Sequence, residues 1–386
     1  MKRYTAALVG LGRMGFSLGL DKKREQPASH TAAFLANPRI NLIAGCDTDH
    51  VALAAWHEVN RKAAAYANSS ALYAQCKPDV IAVAVNEKYH LEEALDAISA
   101  EPRLLILEKP VALNVAQAEQ IQQAAEKKHV SVLINHERRF AEDYKAAKSY
   151  MKNIGELQSI RAELWSGLAV YDAAAEETGS YSLLHDGTHL VDTVLYLLEE
   201  DFLPSTLKKI RTQNSNANKS GLLNLAEGLN ESEREKIQQE MSTHNVKTIN
   251  SLLRFPVVTG VMRDDKKVVR QLSAHYTTPS CPDVTIAFSG RSKFFGFEVS
   301  ITGSEGRICV GNGYLKFYRR QKSPLYSGFY SLLNDKAQST PKKTLYLSNM
   351  VQNVVNFLDG KERLRSTITT GINALSVLEE IKNIVK

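Results

Sequence analysis

The sequence is poor in cysteine. Cys46, Cys76, Cys281 and Cys309 stand far apart in 386 residues, with no CxxC pair and no Cys/His spacing that would close a tetrahedral zinc site. A disulfide-stapled scaffold is excluded, and four reduced thiols in a reducing compartment are expected. No apolar run approaches the ~20 residues a membrane helix needs. Gly10, Gly12 and Arg13 interrupt the first apolar stretch before it is long enough for a signal segment. A cytoplasmic protein without membrane contact is therefore expected. Charge of one sign is scarce too: 48 Lys and Arg against 42 Asp and Glu give a formal +6. The basic residues come in twos and threes, as in Lys22-Lys23-Arg24, Arg138-Arg139 and Arg319-Arg320, rather than in a block. That argues against a nucleic-acid surface and fits attraction of an anionic cofactor or substrate. Gly and Pro show no periodic spacing, and neither an internal repeat nor a low-complexity tract occurs. What is present is an ordinary globular composition, 44% apolar and 23% charged, in a chain long enough for two domains.

From the N-terminus to about residue 137, short apolar runs alternate with amphipathic segments, the rhythm of βαβ units and a parallel sheet. The expected strands are Thr5 to Val9, Asn41 to Cys46, Ala63 to Ala67, Val80 to Val85, Leu104 to Leu107 and Ser131 to Asn135. Nearly all their residues are apolar, as in strands covered on both faces. Helices are expected over Val51 to Val59, Leu91 to Ala100 and Val115 to Lys128. Beyond Arg139 come a helix (Glu142 to Lys152), a strand (Leu157 to Trp165) and a helix (Leu184 to Leu198). Strands with polar turns follow at Lys267 to Tyr276, Val284 to Phe288, Phe294 to Thr302 and Tyr314 to Arg319. This half reads as a second, α+β domain whose sheet is mostly antiparallel. Two closing helices, Asn349 to Leu358 and Thr369 to Ile384, are expected to pack on that sheet. Residues 205–250 are polar and read as a surface insertion with a short helix near Glu231 to Gln239. The boundaries expected are 1–137 for the nucleotide domain and 138–386 for the second.

Gly10-Leu11-Gly12-Arg13-Met14-Gly15 directly follows the first strand, the context in which GxGxxG points to a dinucleotide. Gly10 permits the tight turn, Gly12 lets backbone amides approach a pyrophosphate, and Gly15 permits close helix packing. The positive end of the following helix would face the phosphates. The second strand ends at Asp47, whose carboxylate can accept both adenosine ribose hydroxyls and would repel a 2′ phosphate. NAD is therefore preferred over NADP. From Gly15 to Asp47 is 32 residues, longer than the usual ~20. Phe16 to Ser29 reads as an insertion that delays the helix until near His30. Asp47 as a helix N-cap is the alternative reading, and both roles can coexist.

The fifth strand ends in Leu107-Glu108-Lys109-Pro110, and with the fingerprint this resembles the Gfo/Idh/MocA family of NAD(P)-dependent oxidoreductases. The resemblance covers most of the chain outside 205–250. His90, in Val85-Asn86-Glu87-Lys88-Tyr89-His90, falls where the family has Thr-Pro-x-x-x-His. Arg138-Arg139-Phe140 is similar to its domain-crossing RRF segment, and Gly303-Ser304-Glu305-Gly306-Arg307-Ile308 to its GxxGxI turn. The resemblance implies a fold of class α/β: an N-terminal Rossmann doubly wound parallel sheet, then an α+β domain with a large, mostly antiparallel open sheet. It implies a homodimer or homotetramer, and a nicotinamide site at the domain junction. Cofactor contacts would come from Gly10, Gly12, Arg13, Met14, Gly15, Asp47, Val85, Asn86, His90, Glu108 and Lys109. Family members pair the EKP lysine with a histidine in a D-x-G-x-H-x-x-D pattern. Here the stretch reads His185-Asp186-Gly187-Thr188-His189-Leu190-Val191-Asp192, with His185 in place of the usual Asp.

Residues four apart share a helix face, so His185 and His189 would point into one cleft if the helix has begun there. A metal reading of His-x-x-x-His is disfavoured because a zincin-type site needs Glu after the first His, where Asp186 stands. Histidines capping or lining a helix N-terminus are the plain structural alternative. The expected reaction is reversible oxidation of a secondary hydroxyl of a sugar, inositol or related polyol. His189 would be the general base, Lys109 would orient the hydroxyl and stabilise developing negative charge, and His185 would tune or relay the proton. The Lys109 charge should lower the histidines' pKa values. Glu137, Arg138 and Asp192 would face the substrate. An NAD-dependent glycosidase, a keto-sugar reductase and a nonenzymatic NAD-binding sensor remain as rivals.

Overall fold

The computed structural model describes residues 2–199 and 253–386. The expected insertion at 205–250, with its short helix, lies outside them. The first sheet is built from β1 (Tyr4–Val9), β2 (Ile40–Cys46), β3 (Ala64–Tyr66), β4 (Val80–Val83), β5 (Leu104–Leu107) and β6 (Ser131–Ile134). Its order is β3-β2-β1-β4-β5-β6, with every pair parallel. Between the strands run α1 (His30–Ala36), α2 (His50–Val59), α3 (Ser69–Gln75), α4 (His90–Ser99) and α5 (Val115–Lys128). The chain order reverses between β1 and β4, which opens a crevice at the carboxyl ends of the strands. All six strands were expected, whereas α3, too short for a clear period, was not.

A chain crossing at 137–141 leads to α6 (Glu142–Tyr150), β7 (Leu157–Trp165) and two helices, α7 (Ser182–His185) and α8 (Gly187–Leu198). The strands β8 (Val257–Arg263), β9 (Val269–Tyr276), β10 (Val284–Ser289), β11 (Gly296–Gly303), β12 (Gly306–Gly311), β13 (Tyr314–Lys322) and β14 (Tyr330–Asn334) follow. They form one sheet ordered β14-β13-β12-β11-β7-β10-β9-β8, parallel only between β10 and β7. Alternation sets its two faces: Ile160, Ala162 and Leu164 turn inward, and Arg161 and Glu163 outward. The strands β8, β12 and β14 were not expected. β8 and β14 are largely exposed and carry little apolar signal, and β12 was read as a turn.

Two expectations are corrected. The helix foreseen over 184–198 is broken at Asp186, with α8 starting at Gly187, where a Cβ would stand 2.8 Å from the Phe288 ring and 3.0 Å from the Ser182 carbonyl oxygen. His185 therefore ends one helix and His189 opens the next. The closing helices α9 (Tyr346–Leu358) and α10 (Ile368–Val385) do not simply cover the second sheet. Leu347, Met350, Val351, Val354 and Val355 of α9 join Tyr4, Ala6, Leu8 and Phe34 in a core on one face of the first sheet. The other face shares a core with the second sheet, to which α10 contributes Ala374, Leu375, Leu378 and Ile381. The C-terminus thus straps the two sheets together. Among the described residues, no helix is long and apolar enough to cross a membrane.

Candidate active site

The fingerprint has the geometry that the glycines foretell. Gly10 sits at φ +89, and a Cβ there would meet the Ala84 carbonyl oxygen at 2.6 Å. A Cβ on Gly15 would fall 1.9 Å from the Gly10 carbonyl oxygen. Gly12 differs: it is exposed and has nothing within 4 Å of its would-be Cβ, so the space over it is free for a pyrophosphate. Arg13 is exposed beside it and Met14 half-buried. The interruption after Gly15 is real. A single turn closes through Phe16 N to Gly12 O (2.9 Å), the chain loops out, and α1 resumes with His30 N on Met14 O (2.9 Å) and Thr31 N on Gly15 O (3.0 Å). The helix is spliced, which accounts for the long spacing to Asp47. It also means that the amides near a pyrophosphate belong to the short turn, while the capped end of α1 is at Ser29.

Asp47 lies where β2 ends and is half-buried. Its Oδ2 accepts from the Leu11 amide at 2.7 Å and its Oδ1 from the Asp49 amide at 2.8 Å, which ties the fingerprint loop to the second strand. The N-cap of α2 is Asp49, not Asp47.

After β4, β5 and β6 the chain delivers three short segments to the same end of the sheet. From the first, Asn86 is exposed and caps a 3-10 turn, its Oδ1 accepting from Lys88 N at 3.2 Å, which gives the loop local order without proline. From the second, Lys109 Nζ donates to the His185 carbonyl oxygen at 2.8 Å. From the third, Glu137 and Arg138 lie side by side, Nη1 to Oε1 at 3.2 Å, with the guanidinium 3.7 Å over the Phe297 ring. His189 on α8 closes the group with Nε2 3.6 Å from Glu137 Oε2.

The electrostatics follow from burial. His189 is held well below the usual imidazole range, first by burial and then by the charges of Lys109 and Arg138, so its ring is neutral near pH 7. Burial pushes the Glu137 carboxyl up against the opposing pull of Arg138 and Lys109. A neutral base thus stands near the Lys109 ammonium and beside a carboxyl whose charged form burial disfavours.

Three expected site residues face inward instead, and these are corrections. His90 is buried, its Nδ1 2.6 Å from the Pro110 carbonyl oxygen and its Nε2 3.2 Å from that of Val85, so it holds the segments after β4 and β5 together. Glu108 is buried, with Oε1 2.7 Å from His30 Nε2 and 2.6 Å from the Asn135 amide, linking α1 to β6. Asp192, expected on the substrate side, is buried against Arg139. Sequence reasoning missed Glu87, whose Oε1 accepts from His185 Nδ1 at 2.8 Å. It also missed His136, whose ring stands edge-on to His189 at 6.0 Å. Their only signal was position just after a strand, and it becomes legible once the strand order puts β4, β5 and β6 side by side. Among the described residues no cluster of side chains suits a metal ion.

Residues 5–136 match the oxidoreductase family with the NAD-binding Rossmann fold. Over 197 residues the chain is 26% identical to D-glucoside 3-dehydrogenase of Escherichia coli (strain K12), covering 48% of this chain and 56% of that protein. The chain spans about half the length of the curated relatives it matches. Among solved structures, a dehydrogenase from Chromobacterium violaceum superposes with a TM-score of 0.71 at 14% identity, covering 100% of this chain and 95% of the other. The WlbA dehydrogenase from Bordetella pertussis, in complex with NADH and UDP-GlcNAcA, superposes at 0.66 with 14% identity, covering 99% and 95%. At these identities the likeness establishes the fold.

Proposed function

We infer the reaction from one premise: the chain belongs, through residues 5–136, to the Gfo/Idh/MocA family of oxidoreductases with an NAD-binding Rossmann fold. On that premise the protein oxidises, reversibly, a secondary hydroxyl of a sugar, inositol or related polyol. A bound nicotinamide supplies the two-electron acceptor. The free space over Gly12 and the close-fitted Gly10 and Gly15 fit such a dinucleotide. NAD is favoured because a 2′ phosphate would meet the Asp47 carboxylate at the end of β2.

One observation supports the chemistry: Lys109, His189 and Glu137 converge at the carboxyl ends of β5 and β6, where open α/β sheets place their ligands. Lys109, steadied by the His185 carbonyl, presents its remaining N–H bonds to a substrate oxygen and stabilises negative charge there. His189 Nε2 takes the hydroxyl proton, and its neutral form is the one required. Glu137 and Arg138 bind further hydroxyls. The same reading makes the protein a homodimer or homotetramer, since Phe294 and Phe295 in the turn before β11 and Tyr330 on β14 are exposed; light scattering in solution tests this.

The test is nicotinamide absorbance with purified protein, NAD and then NADP, across inositols, aldoses, sugar acids, nucleotide sugars and aryl glycosides. Reduction of NAD by one polyol or sugar is expected. Tight NAD binding with aglycone release and no net reduction would replace the dehydrogenase by a glycosidase. Binding with no reaction on any substrate would leave a sensor.

A further inference from the structure

The first sheet sends Glu87 out after β4, and the second domain sends His185 down to meet it. The contact is a built one. His185 Nδ1 is 2.8 Å from Glu87 Oε1, and the Glu87 side chain is 8% exposed against 41% for His185. Burial, the largest single influence, pushes the Glu87 carboxyl up, but the hydrogen bond from His185, a backbone hydrogen bond and the charges of His185 and Lys109 together outweigh it and hold the carboxyl below its usual range, hence ionised. The carboxylate is enclosed from behind by the turn at Gly179, where φ is +68 and a Cβ would stand 2.6 Å from Glu87 Cγ. Only glycine lets the 173–179 segment close over it.

An ionised carboxylate on Nδ1 accepts a hydrogen bond and cannot donate one. It therefore fixes His185 in the Nδ1–H tautomer and leaves Nε2 with a lone pair on the exposed side of the ring. The same carboxylate compensates the ring when Nε2 gains a proton. His189 is the opposite: enclosed, depressed, and flanked by cations, it takes a proton but holds it poorly and has little access to water. The charged and titratable groups around His185 are Glu87 after β4, Lys109 after β5 and Asp186 next in the chain, with His189 on α8 close enough to feel its charge and Glu137 beside His189.

We propose that Glu87 is a positioning residue that fixes the tautomer of His185, and that the Glu87–His185 pair carries the substrate proton between the closed site and solvent. This rests on the dehydrogenase reading. As the substrate C–H pair leaves to a nicotinamide dinucleotide, the O–H bond breaks and its proton goes to His189. It then passes to the lone pair of His185 Nε2 and from there to water. The Nδ1–H bond to Glu87 stays intact throughout, and both rings end neutral.

The test has two arms. In the first, ring-15N-labelled histidine is observed by NMR in the cofactor-free protein. Wild type should show His185 as the Nδ1–H tautomer, and Glu87→Gln should show a mixture of the two tautomers. An unchanged tautomer in Glu87→Gln would overturn the proposal, whether or not any substrate is known. In the second arm, Glu87→Gln should lower kcat about tenfold or more with KM and NAD affinity within about threefold, and shift the acid limb of the kcat profile. Glu87→Asp should recover part of kcat and of the pH profile. A uniform loss in both variants with no change of pH profile would mark a merely structural contact and also overturn the relay. If wild type turns over none of the substrates, the dehydrogenase reading fails while the NMR arm still decides the tautomer.

Discussion

Asp192 gives both carboxylate oxygens to one nitrogen of Arg139, at 2.9 and 2.8 Å from Nε, and both side chains are 1% exposed. The other end of the guanidinium holds Glu199 at 2.8 and 2.9 Å. Arg139 thereby pins the chain crossing to α8, the helix that carries His189. Removing one partner of a buried pair leaves an uncompensated charge, so Asp192→Ala should cost about 3–5 kcal/mol. Urea unfolding measures it. A loss below about 1 kcal/mol would mean that Glu199 alone satisfies the arginine.

The fingerprint glycines separate folding from binding. Gly12→Ala adds a methyl into open space, so stability should change by less than about 0.5 kcal/mol while NAD affinity falls at least about tenfold. Gly15→Ala drives a Cβ onto backbone and should destabilise by about 1–3 kcal/mol or more. Thermal melts and calorimetric NAD titrations on both variants check this. Equal loss of stability in the two would show that the space over Gly12 is not open.

Lys109→Met keeps the length of the side chain and removes its charge and its bond to His185. Turnover should fall at least about a hundredfold while NAD affinity stays within a few-fold. Binding isotherms and initial rates on the same sample separate the two effects, and unchanged turnover would remove Lys109 from the chemistry.

The parallel half was legible because its strands are short apolar runs between helices of clear period. Leu104 to Leu107 and Val115 to Lys128 fall as expected to the residue. The second sheet was less so. Its outer face is polar, and exposed strands such as Val257–Arg263 carry no buried alternation to read. At the site, sequence finds residues by type and spacing and says nothing of which way a side chain turns. Lys109 reaches the His185 carbonyl and its charge acts on His189, but His90, Glu108 and Asp192, equally polar and adjacent to the same motifs, join segments instead. Glu87 escaped notice because its partner is 98 residues away, and only the packing of α7 against the loop after β4 joins them.

The buried histidines also set how the protein responds to acid. His90 and His189 both have pKa values lowered from 6.5, burial being the largest cause in each. An unfolded histidine takes up its proton near 6.5, whereas these two resist it until lower pH. Between those points the unfolded state binds more protons, so stability is full above about 6.5 and declines as pH falls below it. Glu87 and Glu108, held below 4.5, act in the same direction but later: their contribution is present above about 4.5 and is lost as pH falls further. These groups should therefore lose their contribution in two stages, the first as pH falls below about 6.5 and the second as it falls below about 4.5, while Glu137, raised by burial, acts in the opposite sense. His189→Gln removes one of the two groups that titrate in that stage and should flatten the early decline without moving the later one. Urea midpoints at pH 7.5, 6.5, 5.5 and 4.5 for both proteins decide it. Identical slopes between pH 6.5 and 5.5 would mean that His189 is not kept neutral by its surroundings, and with that its suitability as the base at neutral pH would go.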